Sequence, residues 1–122
     1  MKLSTKSIVF AGLATLSVSA LAADPIVGTW QTYEDGQAKA QVQISQSGNT
    51  FTGKIVAGNT EKAKQYVGKT ALKNLTAQGD GKYKGKAQDP RWGFSVNANI
   101  KVNGNSLTIS TLKGSQNWKK IK

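Results

Sequence analysis

The chain has 122 residues, with 17 lysines and arginines against 6 acids, a formal charge of +11, and neither histidine nor cysteine. The missing histidine excludes a histidine general base, a triad built on one, and the zinc or copper sites that histidine and cysteine usually form. The missing cysteine excludes disulfide stapling and a lipid anchor at a cleavage-site cysteine, so the fold must rest on burial and backbone pairing.

Lys2 and Lys6 open the chain, and an uncharged, mostly apolar run follows from Ile8 to Val18. Ala20 and Ala22 then precede Ala23 and Asp24. A basic start, a short apolar core and a small-residue cleavage site predict a secretory signal peptide over residues 1–22, cut after Ala22. The apolar run is shorter than the roughly 20 residues that a bilayer span needs. The product is expected in the periplasm or outside the cell, as one domain over residues 23–122.

Behind the signal the chain reads as short strands joined by turns. Gly28 to Tyr33 is a first strand, and Glu34-Asp35-Gly36-Gln37 is a turn whose Asp-Gly pair supplies the positive φ that a tight hairpin needs. Ala38 to Gln46 alternates, with Ala40, Val42 and Ile44 on one face and polar residues on the other, the mark of a half-buried strand. After Ser47-Gly48-Asn49, a third strand shares Phe51, Gly53 and Ile55 on one face. Gly58 to Lys69 breaks the period of two and predicts a long loop with one helical turn around Glu61 to Tyr66. Connections of about a dozen residues are uncommon in compact domains and are often functional.

Strand pattern resumes at Thr70 to Ala77 and again at Lys82 to Gln88, where Tyr83, Gly85 and Ala87 oppose three lysines. Asp89-Pro90-Arg91-Trp92-Gly93 is a turn. Phe94 to Val102 alternates through Phe94, Val96, Ala98, Ile100 and Val102, and Asn103-Gly104-Asn105 is a strong hairpin signal. Leu107, Ile109 and Thr111 mark the next strand, and Gln116 to Ile121 the last. About eight short strands with hairpin connections predict an all-β, up-and-down antiparallel barrel, since closure removes the exposed edges. A bore of eight strands is either filled by side chains or holds one small ligand.

Gly28-Thr29-Trp30 at the first strand and Trp118-Lys119-Lys120-Ile121 on the last are similar to the lipocalin, or calycin, pattern. In that pattern a tryptophan plugs the closed end and a cation from the closing strand packs over it. Adding Gly53-Lys54-Ile55-Val56 and Asp89-Pro90 with Gly93, the chain resembles the exported bacterial family catalogued as domain of unknown function 2147 over nearly all of its mature length. The resemblance implies a small lipocalin-like barrel and assigns Gly28, Trp30, Trp118 and Lys120 to its closure. The family usually has arginine where Lys120 stands, and lysine lacks the planar guanidinium.

The expected function is an exported, lipocalin-like binding protein for a small apolar or lipid-like ligand, with an acidic head as an option. Tyr66, Tyr83, Arg91, Trp92 and Phe94 are the candidate ligand contacts, at the mouth and upper wall. The alternative is a packed barrel that docks on anionic envelope surfaces or protein partners through a lysine-rich exterior, notably Lys82, Lys84 and Lys86. A third option is enzyme inhibition by the loop Gly58 to Lys69. No serine sits in a glycine-elbow context, so no catalytic residue, cofactor or metal is expected. Aromatics are too sparse in the basic segments for a single-strand nucleic-acid groove.

Overall fold

The computed structural model describes residues 24–91 and 93–122. The expected signal peptide and Trp92 lie outside the described residues. Eight antiparallel strands follow in chain order: β1 (Gly28–Glu34), β2 (Gln37–Ser47), β3 (Thr50–Gly58), β4 (Thr70–Gly79), β5 (Lys82–Ala87), β6 (Val96–Asn103), β7 (Ser106–Thr111) and β8 (Gly114–Lys120). Each pairs with the next, and β1 pairs with β8, so the sheet closes into the expected up-and-down barrel. A single helical turn, α1 (Glu61–Lys64), interrupts the meander between β3 and β4. Among the described residues, no helix is long and apolar enough to cross a membrane.

The period-two residues line the bore as alternation requires. Val42 and Ile44 from β2, Phe51 and Ile55 from β3, Ala98, Ile100 and Val102 from β6, and Leu107 and Ile109 from β7 form one buried cluster. The Asp35–Gly36 hairpin turn has positive φ at both residues, as a tight two-residue turn demands. Strand β4 departs from simple alternation. In β4, Leu72 and Leu75 both face inward at a spacing of three, because Asn74 takes a φ of 56° and the pairing with β5 shifts there. This is a bulge, which inserts a residue and bends the strand. The expected strand from Phe94 begins only at Val96, and Phe94 is 50% exposed on the turn before it.

The up-and-down order fixes which end each turn occupies. Asp24 to Val27 and the β2–β3, β4–β5 and β6–β7 turns lie at the closed end. The β1–β2 turn, α1, the β5–β6 connection and the β7–β8 turn ring the open end. At the closed end Trp30 is fully buried, and its indole Nε1 donates to the Ile26 carbonyl at 2.9 Å. Lys120, the register partner of Trp30, places its ammonium 5.7 Å from the indole ring and donates to the Pro25 carbonyl. Gly28 is the position that lets the two terminal strands meet. A Cβ there would stand 2.6 Å from the Lys122 carbonyl oxygen and 2.7 Å from Lys120 Cε, and its φ of +145° is strained for any other residue.

The Thr29 amide bonds to Lys122 at 2.9 Å, and the Ile121 amide returns to Thr29 at 2.9 Å. The register between β1 and β8 is otherwise brief: Trp30 with Lys120 and Gln31 with Lys119. Trp30→Ala is expected to lower stability by about 3–5 kcal/mol, as for other buried aromatics cut to alanine. Trp30→Phe, which removes only the bond to Ile26 and part of the packing, should cost clearly less. Urea denaturation of the three proteins checks both.

Candidate functional site

The inner residues change size along the bore. Near the closed end stand Trp30, Ile44, Phe51, Leu75, Tyr83 and Leu107, all buried. Near the open end the inward positions are Ala40, Ala71 and Ala87, with Ala63 from α1 beside them. Large side chains fill the lower bore, and alanines leave the upper bore hollow. The result is a cavity of about 240 Å³ that opens at the mouth. Val42, Ile55, Leu72, Ile109 and Trp118 give it an apolar lower wall.

Thr60 starts α1 by accepting from the Ala63 amide at 3.0 Å, a standard N-terminal cap. That turn seats Ala63 and Tyr66 on the cavity. The close approach depends on Gly58, where a Cβ would fall 2.5 Å from the Lys64 nitrogen. Because those neighbours are backbone atoms, a side chain at Gly58 would have to push the helical turn away. The loop Gly58 to Lys69 is therefore part of the cavity wall.

The rim is built from charge. Lys39 binds Glu34 at 2.8 Å, Arg91 meets Glu34 at 3.4 Å, and Arg91 grips Asp89 through two bonds of 2.9 and 2.5 Å. The Asp89 carboxylate also accepts from the Arg91 backbone amide at 2.9 Å, which folds the turn around its own ion pair. The hydrogen bond from Lys39, followed by the charges of Lys39 and Arg91, holds Glu34 below its ordinary pKa of 4.5. Burial alone would raise Asp89, but the hydrogen bonds and charge of Arg91 outweigh it and hold the carboxyl below its ordinary 3.8. The hydrogen bond to Asp89 in turn raises Arg91, which stays a cation throughout. These four residues carry two charges of each sign.

Polar groups stand between rim and lower wall. Thr32 accepts from the Ala40 amide at 3.2 Å through Oγ1, which leaves its hydroxyl proton for another acceptor. Gln116 accepts from the Trp118 indole at 3.0 Å through Oε1, which leaves its amide N–H groups. Both line the cavity together with Gln88.

Of the candidate contacts, Tyr66 and Arg91 line the cavity. Trp92 lies outside the described residues. Phe94 stands on the outer side of the rim, under the Lys113 ammonium at 5.1 Å, and does not line the cavity. Tyr83 requires a correction. It is 3% exposed near the closed end, packs edge-on against Phe51 at 5.5 Å, and its hydroxyl donates to the Asp24 carboxylate. It follows the closed-end turn directly, so strand direction puts it at the bottom rather than the mouth. Of the closure residues, Gly28, Trp30 and Lys120 meet at the closed end, whereas Trp118 belongs to the cavity wall. The sequence reading missed Glu34 and Lys39 as rim residues. Glu34 and Lys39 flank one hairpin turn with opposite charges, which was the available signal.

The fold and site define a closed eight-stranded antiparallel barrel, plugged at one end and hollow at the other. Protein HP1028 of the human pathogen Helicobacter pylori, a solved structure described as belonging to the lipocalin family, has a similar fold. Its TM-score is 0.62, at 18% identity over 80% of this chain and 83% of that one. The chain belongs to the bacterial family described as "Uncharacterized protein conserved in bacteria (DUF2147)", whose model matches residues 28–120. Among curated proteins none matches it.

Because both rim carboxylates titrate below their ordinary values, the stability they contribute is complete above the ordinary carboxylate range and is lost as pH falls through the lowered values. NMR titration should show Glu34 and Asp89 midpoints below 4.5 and 3.8 respectively. Asp89→Asn should lower stability at neutral pH by up to about 1 kcal/mol and flatten the acid limb of the stability curve.

Proposed function

We propose that this protein is an exported binding protein that holds one small, mainly apolar molecule in the upper barrel. The observation that carries the reading is the hollow formed by Ala40, Ala63, Ala71 and Ala87 above an apolar wall ending at Trp118. A mouth opening onto an apolar cavity with a few placed polar groups is the usual form of a small-molecule site. Its volume, about 240 Å³, falls below the roughly 300–1,000 Å³ of drug-sized pockets, so the ligand is small. The protein binds rather than transforms it.

The rim favours an uncharged polar head. Arg91 is held by Asp89 and Glu34, and Lys39 by Glu34, so an acidic head would have to displace a carboxylate already bound. The remaining rim cation, Lys113, stacks on Phe94. The hydroxyl of Thr32 and the amide of Gln116 offer hydrogen bonds to an acceptor oxygen. A medium-chain alcohol or ketone fits this arrangement better than the matching carboxylate.

A homologous series of alkanols, methyl ketones and fatty acids, followed by calorimetry and tryptophan fluorescence, tests this. Neutral members are expected to bind and to raise the melting temperature, by the stabilisation that any native-state ligand gives. Ala87→Phe fills the hollow and should abolish binding while the barrel still melts cooperatively. Trp118→Phe should remove most of the fluorescence response but keep the heat of binding. Tight binding of the carboxylates alone would overturn the neutral-head reading, and binding unchanged in Ala87→Phe would overturn the site. Export is tested separately: the periplasmic fraction should contain protein whose first residue is Ala23.

A further inference from the structure

The outer wall of the barrel is electrically one-sided. Every outward position of β5 is a lysine: Lys82, Lys84 and Lys86. The register sets Lys82 directly opposite Lys101 on β6 and Lys86 directly opposite Lys73 on β4. Like charges facing each other across a ladder destabilise a sheet. Two such pairs on adjacent ladders are a cost that stability alone does not explain. Between Lys82 and Lys122 there is a single acidic side chain, Asp89, and it is held by Arg91 at the rim. Among the described residues none of the five lysines forms a salt bridge. Lys86 donates to the Asn97 side chain at 2.6 Å, and Lys101 to the Asp80 carbonyl at 2.9 Å.

We propose that this wall, β4 to β6, docks the protein on an anionic membrane surface through lipid phosphate groups. The array is a sheet exterior, so it presents charges to an extended anionic plane rather than enclosing one phosphate. Lysines along a strand repeat every two residues, about 6.8 Å, which spreads point charges evenly. Lysine makes no bidentate fork, so the contact selects charge density rather than one headgroup geometry. The neighbouring outward residues of β6 are Asn97 and Asn99, and among the described residues the strands β4 to β6 carry no outward aromatic for stacking bases, which disfavours single-stranded nucleic acid. The attraction is long-range and is screened over about 8–10 Å at ordinary salt. The proposal does not depend on the cavity being occupied.

Co-sedimentation with phosphatidylglycerol-containing vesicles, and with pure phosphatidylcholine vesicles as reference, tests it. Binding to the anionic vesicles alone is expected, falling steeply with salt. The triple variant Lys82→Gln, Lys84→Gln, Lys101→Gln should weaken it roughly a hundred-fold, at about fivefold per lysine. The same triple should melt no lower than the parent, since it removes the opposed Lys82–Lys101 pair. The triple Lys54→Gln, Lys62→Gln, Lys69→Gln removes equal charge elsewhere and should leave binding within a few-fold. Equal loss in both triples would show that net charge alone acts and would overturn the proposal. Stronger capture by single-stranded DNA or dissolved polyphosphate than by vesicles would overturn the membrane assignment.

Discussion

The contact between the two ends of the chain at Trp30 holds the rest of the structure in place. Trp30 on the first strand, Lys120 on the last, the Ile26 and Pro25 carbonyls below them and the bare Cα of Gly28 occupy one small volume. The indole is a large apolar stopper whose single polar atom finds a carbonyl, so its burial leaves no unsatisfied donor. The lysine adds charge over the ring and ties the leading segment to the closing strand. Remove this junction and the sheet retains its hairpins but loses the register that makes it a cylinder.

Given a sealed bottom, the hollow above follows from side-chain volume. An eight-stranded bore can just be filled by its own residues. Here tryptophan, tyrosine, phenylalanine and leucine fill the lower part, and alanine leaves the upper part short of atoms. The rim then limits what can enter. Its carboxylates and cations are paired with one another, which keeps the mouth polar without presenting one sign of charge.

Much of the architecture was legible because period-two alternation is strict in β2, β6 and β7, and because Asp35–Gly36 and Asn103–Gly104 mark hairpins by chemistry. What failed was height within the barrel. Tyr83 is expected at the mouth, but the turn preceding it lies at the closed end. That error comes from reading faces without counting strand direction. The bulge at Asn74 escaped because a one-residue insertion leaves composition unchanged and shifts only the spacing from Leu72 to Leu75. The rim ion pairs escaped because Glu34 and Asp89 are 55 positions apart and meet only through Arg91 once β1 and β5 share an end.

The ladder joining β1 to β8 has its two register pairs near the closed end, while a shallow groove lies beside their upper reaches, between Tyr33 and Glu34 on one side and Ser115 and Asn117 on the other. This ladder joins the strands furthest apart in sequence, so its formation bears the greatest loop-closure entropy of any in the sheet. The barrel thus resembles a rolled sleeve fastened at the cuff. Amide exchange along that upper margin reports the sleeve unrolling, whereas exchange at the stoppered cuff reports loss of the entire fold.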